Sequence, residues 1–392
     1  MPYQKFEVSG GKPVLSWAVE AEFGAYKQAD NLAKLPFTIG HIALMPDAHQ
    51  GYGMPIGGVL FADKAVVPYA VGVDIGCGVS LIETELSFID KIGLDTEFVN
   101  RLLAQIYRDV PVGTGGSHRS PQGELWDTGE YNYSAIAGQA ILEADLQLGT
   151  LGSGNHFLEL QHDDEGRINF MLHSGSRSVG KKICDYWHKI ALELNTKWHS
   201  RLPDKELAYL PWGTDEAQGY FEDMQTAMAW AEENRRRMAG KVISAFGELG
   251  VKAWQTLDVH HNYAAWENHM GKNGIVHRKG AVRARDGEEV LIPGSMGTSS
   301  YLARGLGNPL SFQTCQHGAG RLRSRNATKK ITSLEEMDKT LERANVTLVA
   351  PNREKVIDES PMAYKDIEEV MEASSDLIVP VRRFTPIGVV KG

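Results

Sequence analysis

The apolar positions of the chain follow two periods. Between Glu222 and Leu249, residues Met224, Ala227, Met228, Ala231, Met238, Val242 and Phe246 recur near helical spacing with charges between them. That spacing predicts one long amphipathic helix that buries a single face. Shorter stretches over Phe98–Val110 and Ser134–Leu148 predict two further helices. HIALMP and GGVLFADKAVVP read as short strands beside glycine-rich turns, and INFMLHSG reads as a strand entering a loop. Polar residues capable of chemistry repeatedly follow these strands. The pattern predicts an α+β fold whose site is built from loop ends.

Composition narrows this picture. A length of 392 residues suggests two or three domains, yet no linker, low-complexity tract or fixed-period repeat divides the chain. Hydrophobic residues at 42% and charged residues at 23% are ordinary for a globular protein. No apolar run reaches membrane-spanning length, and MPYQKFEVSG lacks a signal-peptide core, so no membrane association is expected. Three scattered cysteines, Cys77, Cys184 and Cys315, do not form a disulfide framework, and a cytoplasmic setting is expected. A net charge of -9 argues against non-specific nucleic-acid binding. Local basic runs exist nonetheless: RLRSRNATKK (Arg321–Lys330), KK (Lys181–Lys182) and RRR (Arg235–Arg237). Such runs are ordinarily solvated faces.

Candidate chemistry lies in short stretches that mix glycine with His, Asp, Asn or Cys: MPDAHQGYG, VDIGCG, LGTLGSGNHFLE, MLHSGSR, DVHHNY, PGSMG and HGAGR. They supply a ligand pool of Asp74, Cys77, His156, His173, His260 and His261. Carboxylate, thiolate and imidazole together suit a first-row transition metal. One thiolate can bridge two ions, the usual clamp for phosphoryl transfer. Satisfied buried histidines and a buried cysteine are the alternative, since no spacing here is that of a zinc finger or HExxH. His49 and Asp47 belong to the first of these stretches, and Asp47 could orient a metal-ligating imidazole or cap its own turn. GYGMPIG has the wrong spacing for a dinucleotide loop. In HGAGR, glycines 318 and 320 allow backbone N–H groups near an anion, Arg321 can pair with phosphate, and a neutral His317 can attack phosphorus. A turn carrying a surface histidine is the other reading.

Taken in order, MPDAHQGYG, VGVDIGCG, LGTLGSGNHFLE, LHSGSR, HHNY, RKGAV, PGSMG, HGAGR, PMAYKDI and VVKG cover nearly the whole chain. In this order they resemble the RtcB RNA ligases, GTP-dependent enzymes that join RNA ends. The resemblance implies a single large α+β catalytic domain over residues 1–392, with central β-sheets flanked by helices, in place of several domains. It implies two manganese ions: Asp74, Cys77 and His156 would hold one, and Cys77, His173 and His261 the other. His317 would be the guanylylated nucleophile. Asn155, Phe157, Glu159, Ser295, Ala319, Gly320, Tyr364 and Lys391 match positions that contact GMP. Lys279 and Arg321 match functional positions near the nucleotide and the RNA ends.

The implied reaction joins RNA 3′-phosphate or 2′,3′-cyclic phosphate ends to 5′-hydroxyl ends, in tRNA splicing or RNA repair. The protein would act as a monomer, and an accessory activating protein is a further partner of the family reading. Two departures stand out. Gln316 precedes His317 where a smaller residue is expected, and could alter the approach to the histidine. PVGTGGSHRSPQG is less basic than the corresponding family loop. A metal-dependent phosphoesterase and a non-enzymatic RNA-end binder are the rival readings. The first gives HGAGR no role, and the second would be favoured by missing ligands. A lysine-nucleotidyl ligase lacks its K-x-[DN]-G signature here.

Overall fold

Two largely antiparallel sheets organise this computed structural model, which describes residues 3–87, 96–122 and 133–392. The six-stranded sheet runs Gln4–Phe6, Val14–Ser16, Thr38–His49, Ile56–Ala62, Lys272–Lys279 and Asn262–His269. The eight-stranded sheet runs Ala253–His260, Gly78–Ser87, Arg167–Ser174, Phe157–Asp163, Ile378–Val390, Ser300–Gly305 and Glu289–Ile292, with Thr347–Val349 parallel to Ile378–Val390. The fold is α+β, as the apolar pattern predicts.

Both faces of the larger sheet are covered, which explains its near-continuous apolar strands. Side chains alternate across a strand. Ile82, Leu158, Leu160, Phe170 and Leu172 face Met238, Val242 and Phe246 of the long helix. Val79, Leu81, Phe157 and Met171 face the other way, toward Leu302, Met337, Leu341 and Phe384. The long helix itself spans Asp215–Glu248. Its C-terminal half packs on the sheet, while Tyr220, Met224, Ala227 and Trp230 enter a second core with Ile75, Ile183 and Trp187. We expect Phe246→Ala, at a fully buried position, to lower unfolding free energy by about 3–5 kcal/mol, read from the urea midpoint.

Four sequence expectations are corrected in their bounds. The long helix starts seven residues before Glu222, because the Thr214 hydroxyl caps it by accepting from the Ala217 N–H at 3.2 Å. The first short helix spans Thr96–Asp109. The next spans Ala135–Glu143, capped by Ser134, and tightens into the 3-10 turn Asp145–Gln147, which delivers Leu148 to the core. The run GGVLFADKAVVP yields Ile56–Ala62 and the two-residue strand Ala65–Val66, separated by Lys64 in the left-handed region at φ 48°.

His260 ends the larger sheet and Asn262 begins the smaller one, so His261 is the single residue between them. Among the described residues no helix is long and apolar enough to cross a membrane. The three cysteines are free and buried.

The basic run at Arg235–Arg237 is not one solvated face. Arg236 is exposed and pairs with Glu233. Arg235 is 1% exposed and forks onto Asp258 at 2.7 and 2.6 Å. Its remaining N–H group donates to the carbonyls of Gly76 (2.7 Å) and Ser174 (3.2 Å). A buried guanidinium thus ties the long helix to the turn that carries Cys77. Lys181 and Lys182 do form exposed ion pairs, with Asp185 and Glu143.

Candidate active site at the seam of the two sheets

The stretch Val71–Gly78 is a turn laid on the long helix. Gly76 has φ +71°, and a Cβ there would come within 2.7 Å of the Met228 Cα. Only glycine permits that approach. The Cys77 N–H donates to the Asp74 carbonyl at 3.1 Å, so thiol and carboxylate emerge on one side. Asn262 clamps the turn by accepting from the Gly76 N–H (2.8 Å) and donating to the Asp74 carbonyl (2.9 Å).

Three imidazoles converge on this turn. Cys77 Sγ lies 3.4 Å from His156 Nε2 and 3.3 Å from His173 Nε2. His156 Nε2 is 3.0 Å from Asp74 Oδ2, and His173 Nε2 is 3.3 Å from His261 Nε2. His156 precedes the strand Phe157–Asp163, and His173 lies on Arg167–Ser174 between Val79 and Phe157. His261 sits at the corner between the sheets, its N–H donating to the Cys77 carbonyl at 2.9 Å. Two donor groups result, Asp74–Cys77–His156 and Cys77–His173–His261, with Cys77 in both.

The chemistry of these donors fits divalent cations. The Asn155 carbonyl lies 3.2 Å from His173 Nδ1 and can only accept, so Nδ1 carries the proton and Nε2 presents a lone pair. Burial, then neighbouring imidazoles, pushes His173 and His261 well below the usual histidine range, so both are neutral. Burial, then the Asp74 carboxylate, pushes the Cys77 thiol well above its ordinary range. A thiolate there needs a cation within bonding reach. Burial would raise Asp74, but hydrogen bonds and charge from His156 and the Cys77 hydrogen bond outweigh it and bring the carboxyl down to about 2.

His317 closes the short sheet of Ala281–Arg283 and Thr314–Gln316, with its ring 4.7 Å from that of His261. Asp47 Oδ2 accepts both the His317 backbone N–H (3.1 Å) and ring Nδ1–H (2.5 Å). This fixes the tautomer and leaves Nε2 free to attack. Gly320, at φ +75°, lets its loop lie against Asp47, where a Cβ would come within 2.3 Å of the Asp47 carbonyl oxygen. Lys365 is 3% exposed and donates to the carbonyls flanking Asp47, those of Pro46 (3.2 Å) and Ala48 (2.8 Å). Asp47 therefore orients His317, while His49 reaches only the Asp47 backbone carbonyl at 3.0 Å.

A cavity of about 800 Å³ opens beside these groups. Asn155, Phe157, Glu159, Lys279, Ser295, His317, Ala319, Gly320, Arg321, Tyr364 and Lys391 all line it, together with Asp74, Cys77, His173 and His261. His156 stands behind them, 7% exposed. Burial pushes Glu159 up to about 8, against the opposing Gln161 hydrogen bond and the Lys391 charge. Burial likewise lowers Lys279 to about 8, and it lowers Lys391.

Glu359, which no sequence motif marked, joins the far wall. It is 1% exposed and accepts from Arg321 (3.1 Å) and the Tyr364 hydroxyl, with Lys391 Nζ at 3.7 Å. Its neighbour in sequence is the motif PMAYKDI, but nothing local distinguishes DES from any acidic turn.

Two expectations fail. His260 is in neither donor group, and its ring packs on Tyr263 at 4.5 Å. Strand alternation turns it away from its neighbour His261. Gln316 does not crowd His317. Its side chain points into the core, donating to Ser374 Oγ at 2.9 Å, on the opposite side of the strand.

These residues come from segments spread over the whole chain, and comparison with known proteins gives that spread a meaning. The sequence model of the family described as tRNA-splicing ligase RtcB matches residues 28–130 and 127–392. The RNA-splicing ligase RtcB of Escherichia coli K12 is 39% identical, over 97% of each chain. The tRNA-splicing ligase RtcB of Nanoarchaeum equitans is 34% identical, over 93% of this chain and 91% of its own. The RNA-splicing ligase RtcB of Mycobacterium tuberculosis H37Rv is also 34% identical, over 93% of this chain and all of its own. Matches of this extent leave no segment of the site outside the aligned region, and the chain belongs to the RtcB family.

Proposed function

We propose that the protein is a GTP-dependent RNA ligase that joins 3′-phosphate or 2′,3′-cyclic phosphate ends to 5′-hydroxyl ends, in tRNA splicing or RNA repair. One observation carries this reading: a histidine with a free Nε2, held by a buried carboxylate, faces a thiol shared by two metal-type donor groups. Asp74, Cys77 and His156 would hold one manganese ion, and Cys77, His173 and His261 the other. When bound, the pair supplies neutralising charge at phosphoryl oxygens.

His317 Nε2 attacks the α-phosphorus of GTP. A P–N bond forms, the bond to the bridging oxygen breaks, and pyrophosphate leaves. An oxygen of the RNA 3′-phosphate then attacks the same phosphorus, the P–N bond breaks, and GMP moves to the RNA end. The 5′-hydroxyl oxygen attacks the activated 3′-phosphorus, and GMP departs. A 2′,3′-cyclic phosphate is first hydrolysed: a water oxygen bonds to phosphorus, the bond to the 2′-oxygen breaks and that oxygen takes a proton, leaving the 3′-phosphate for activation. Asn155, Phe157, Ser295, Ala319, Gly320, Tyr364 and Lys391 would hold GMP, with Lys279 and Arg321 near the phosphates and RNA ends. The site draws on both sheets and is complete within one chain, which supports a single catalytic domain acting as a monomer. Three free cysteines support a cytoplasmic setting.

The test uses α-labelled GTP with manganese, then RNAs bearing the alternative ends. Expected are a protein–GMP adduct and joining of 3′-phosphate to 5′-hydroxyl ends alone. Phosphate release without an adduct favours the phosphoesterase reading.

Glu159 would accept from the N–H donors of the guanine edge, and only its ionised form can accept both. With the carboxyl held near 8, affinity for GTP should rise as pH climbs through that value. Glu159→Gln should remove this dependence and narrow the preference for GTP over ATP at least tenfold. Equilibrium binding across pH checks both.

A further inference from the structure

A second cavity, of about 770 Å³, adjoins the first. Chain neighbours divide between the two cavities at the wall they share. Asn155 lines the catalytic cavity and Gly154 the second, and Lys391 and Gly392 are divided likewise. Arg325 and Asn326 line both. The Arg325 guanidinium lies directly over Gly154, where a Cβ would come within 2.3 Å of Nη2.

The second cavity is positively charged. Arg325, Lys329 and Lys355 line it against one acid, Asp358. Lys329 Nζ is 3.3 Å from Asp358, and Arg325 Nε is 3.5 Å from Glu359 and 3.9 Å from Asp358. Lys355 is exposed and has no ion pair among the described residues. The glycine-rich turn 113–116 and Ser117 also line it, and at Gly115 a Cβ would meet nothing within 4 Å. The run RLRSRNATKK is exposed at Arg323, Arg325, Lys329 and Lys330, as its charge predicts, but it also borders both cavities. Arg321, Arg323 and Arg325 line the catalytic cavity, and Arg325 and Lys329 line the next.

We propose that the second cavity carries the phosphodiester backbone of an RNA strand whose reacting end lies in the catalytic cavity. The inference rests on the ligase reading and adds a path for the strand. Arg325 marks the crossing. Lys329 and Lys355 neutralise phosphates beyond it, which a mononucleotide cannot reach. Binding in this cavity is sequence-independent, since backbone charge is what these side chains meet.

The experiment uses the full chain with Lys329→Ala/Lys355→Ala, and with both lysines changed to Glu. Both positions are surface groups, so folding is preserved. Three quantities are measured: protein–GMP formation, joining of RNAs with strands of about 12 nucleotides, and joining of RNAs with one strand shortened to two nucleotides. Losing two single-strand phosphate contacts should lower the salt slope of RNA binding by about 1.4. Near physiological salt, that slope corresponds to about a tenfold higher KM for the long RNA. Expected are that loss, a larger one for the Glu variant, and unchanged guanylylation and unchanged joining of the short RNA. Equal effects on both lengths, or none, overturn the proposal. Absence of a protein–GMP adduct in the unaltered protein would instead reject the ligase reading beneath it.

Discussion

Cys77→Ala should abolish RNA joining and remove both metal ions. The thiol is common to the two donor groups, whereas each of the other four side chains belongs to one. A methyl group cannot bridge two cations, and the remaining pairs, Asp74–His156 and His173–His261, are too few to hold a transition metal tightly. By contrast, His173→Ala and His261→Ala should each deplete one ion in preference. Metal analysis after gel filtration, alongside a joining assay, checks this. A full complement of two ions in Cys77→Ala would exclude the bridging role. Cys77 is 3% exposed with Gly76 and Arg235 packed about its turn, so Cys77→Ser provides a nearly isosteric control for folding. We expect it to lose joining by several orders of magnitude while its thermal unfolding without metal stays close to that of the parent.

His317→Ala should form no covalent guanylate, yet still join RNA whose 3′-end already carries GMP, because the histidine acts before that intermediate. Its partner gives a finer test. Asp47→Asn can still occupy the space beside His317. But an amide can donate as well as accept, so the Nδ1–H tautomer is no longer enforced. Guanylylation should fall roughly 10²–10⁴-fold, with joining of pre-activated RNA little changed. Single-turnover assays with labelled GTP separate the two steps. A normal adduct from His317→Ala would defeat the assignment of the nucleophile.

The sequence made some of this legible and hid the rest for physical reasons. Asp74 and Cys77 sit three residues apart on a glycine turn, so their pairing is local and readable. Asp47 and His317 are 270 positions apart, and nothing in MPDAHQGYG says that its carboxylate serves a distant imidazole instead of His49. Arg235 sits in a basic run that reads as solvated. Only the docking of the long helix shows the middle of that helix to be buried. Glu359 and Lys365 are silent for the same reason, since each serves groups brought to it by the packing of the two sheets. His260 and His261 show the opposite limit. Adjacent in sequence, they look interchangeable, and the strand's two-residue alternation sends only one to the site. The α+β class was legible because it depends on short-range periodicity. The bounds were less so, because caps such as Thr214 lie outside the apolar pattern.

His261, alone at the corner between the sheets, has a thermodynamic consequence. Asp74, Cys77, His156 and His173 belong to the larger sheet and its turns, while His261 is the residue from which the chain passes into the smaller sheet. With ions held at the two donor groups as proposed, the free energy of ion binding and that of sheet docking would be linked quantities. Ions that favour the docked arrangement stabilise it by RT ln(1 + [L]/Kd). By the same linkage, a substitution that loosens the junction would raise the apparent Kd for the ions in inverse proportion to the fraction of molecules still docked. Ion affinity would thus report the docked population as well as the ligands, and the two could be separated by substitutions that leave the junction closed.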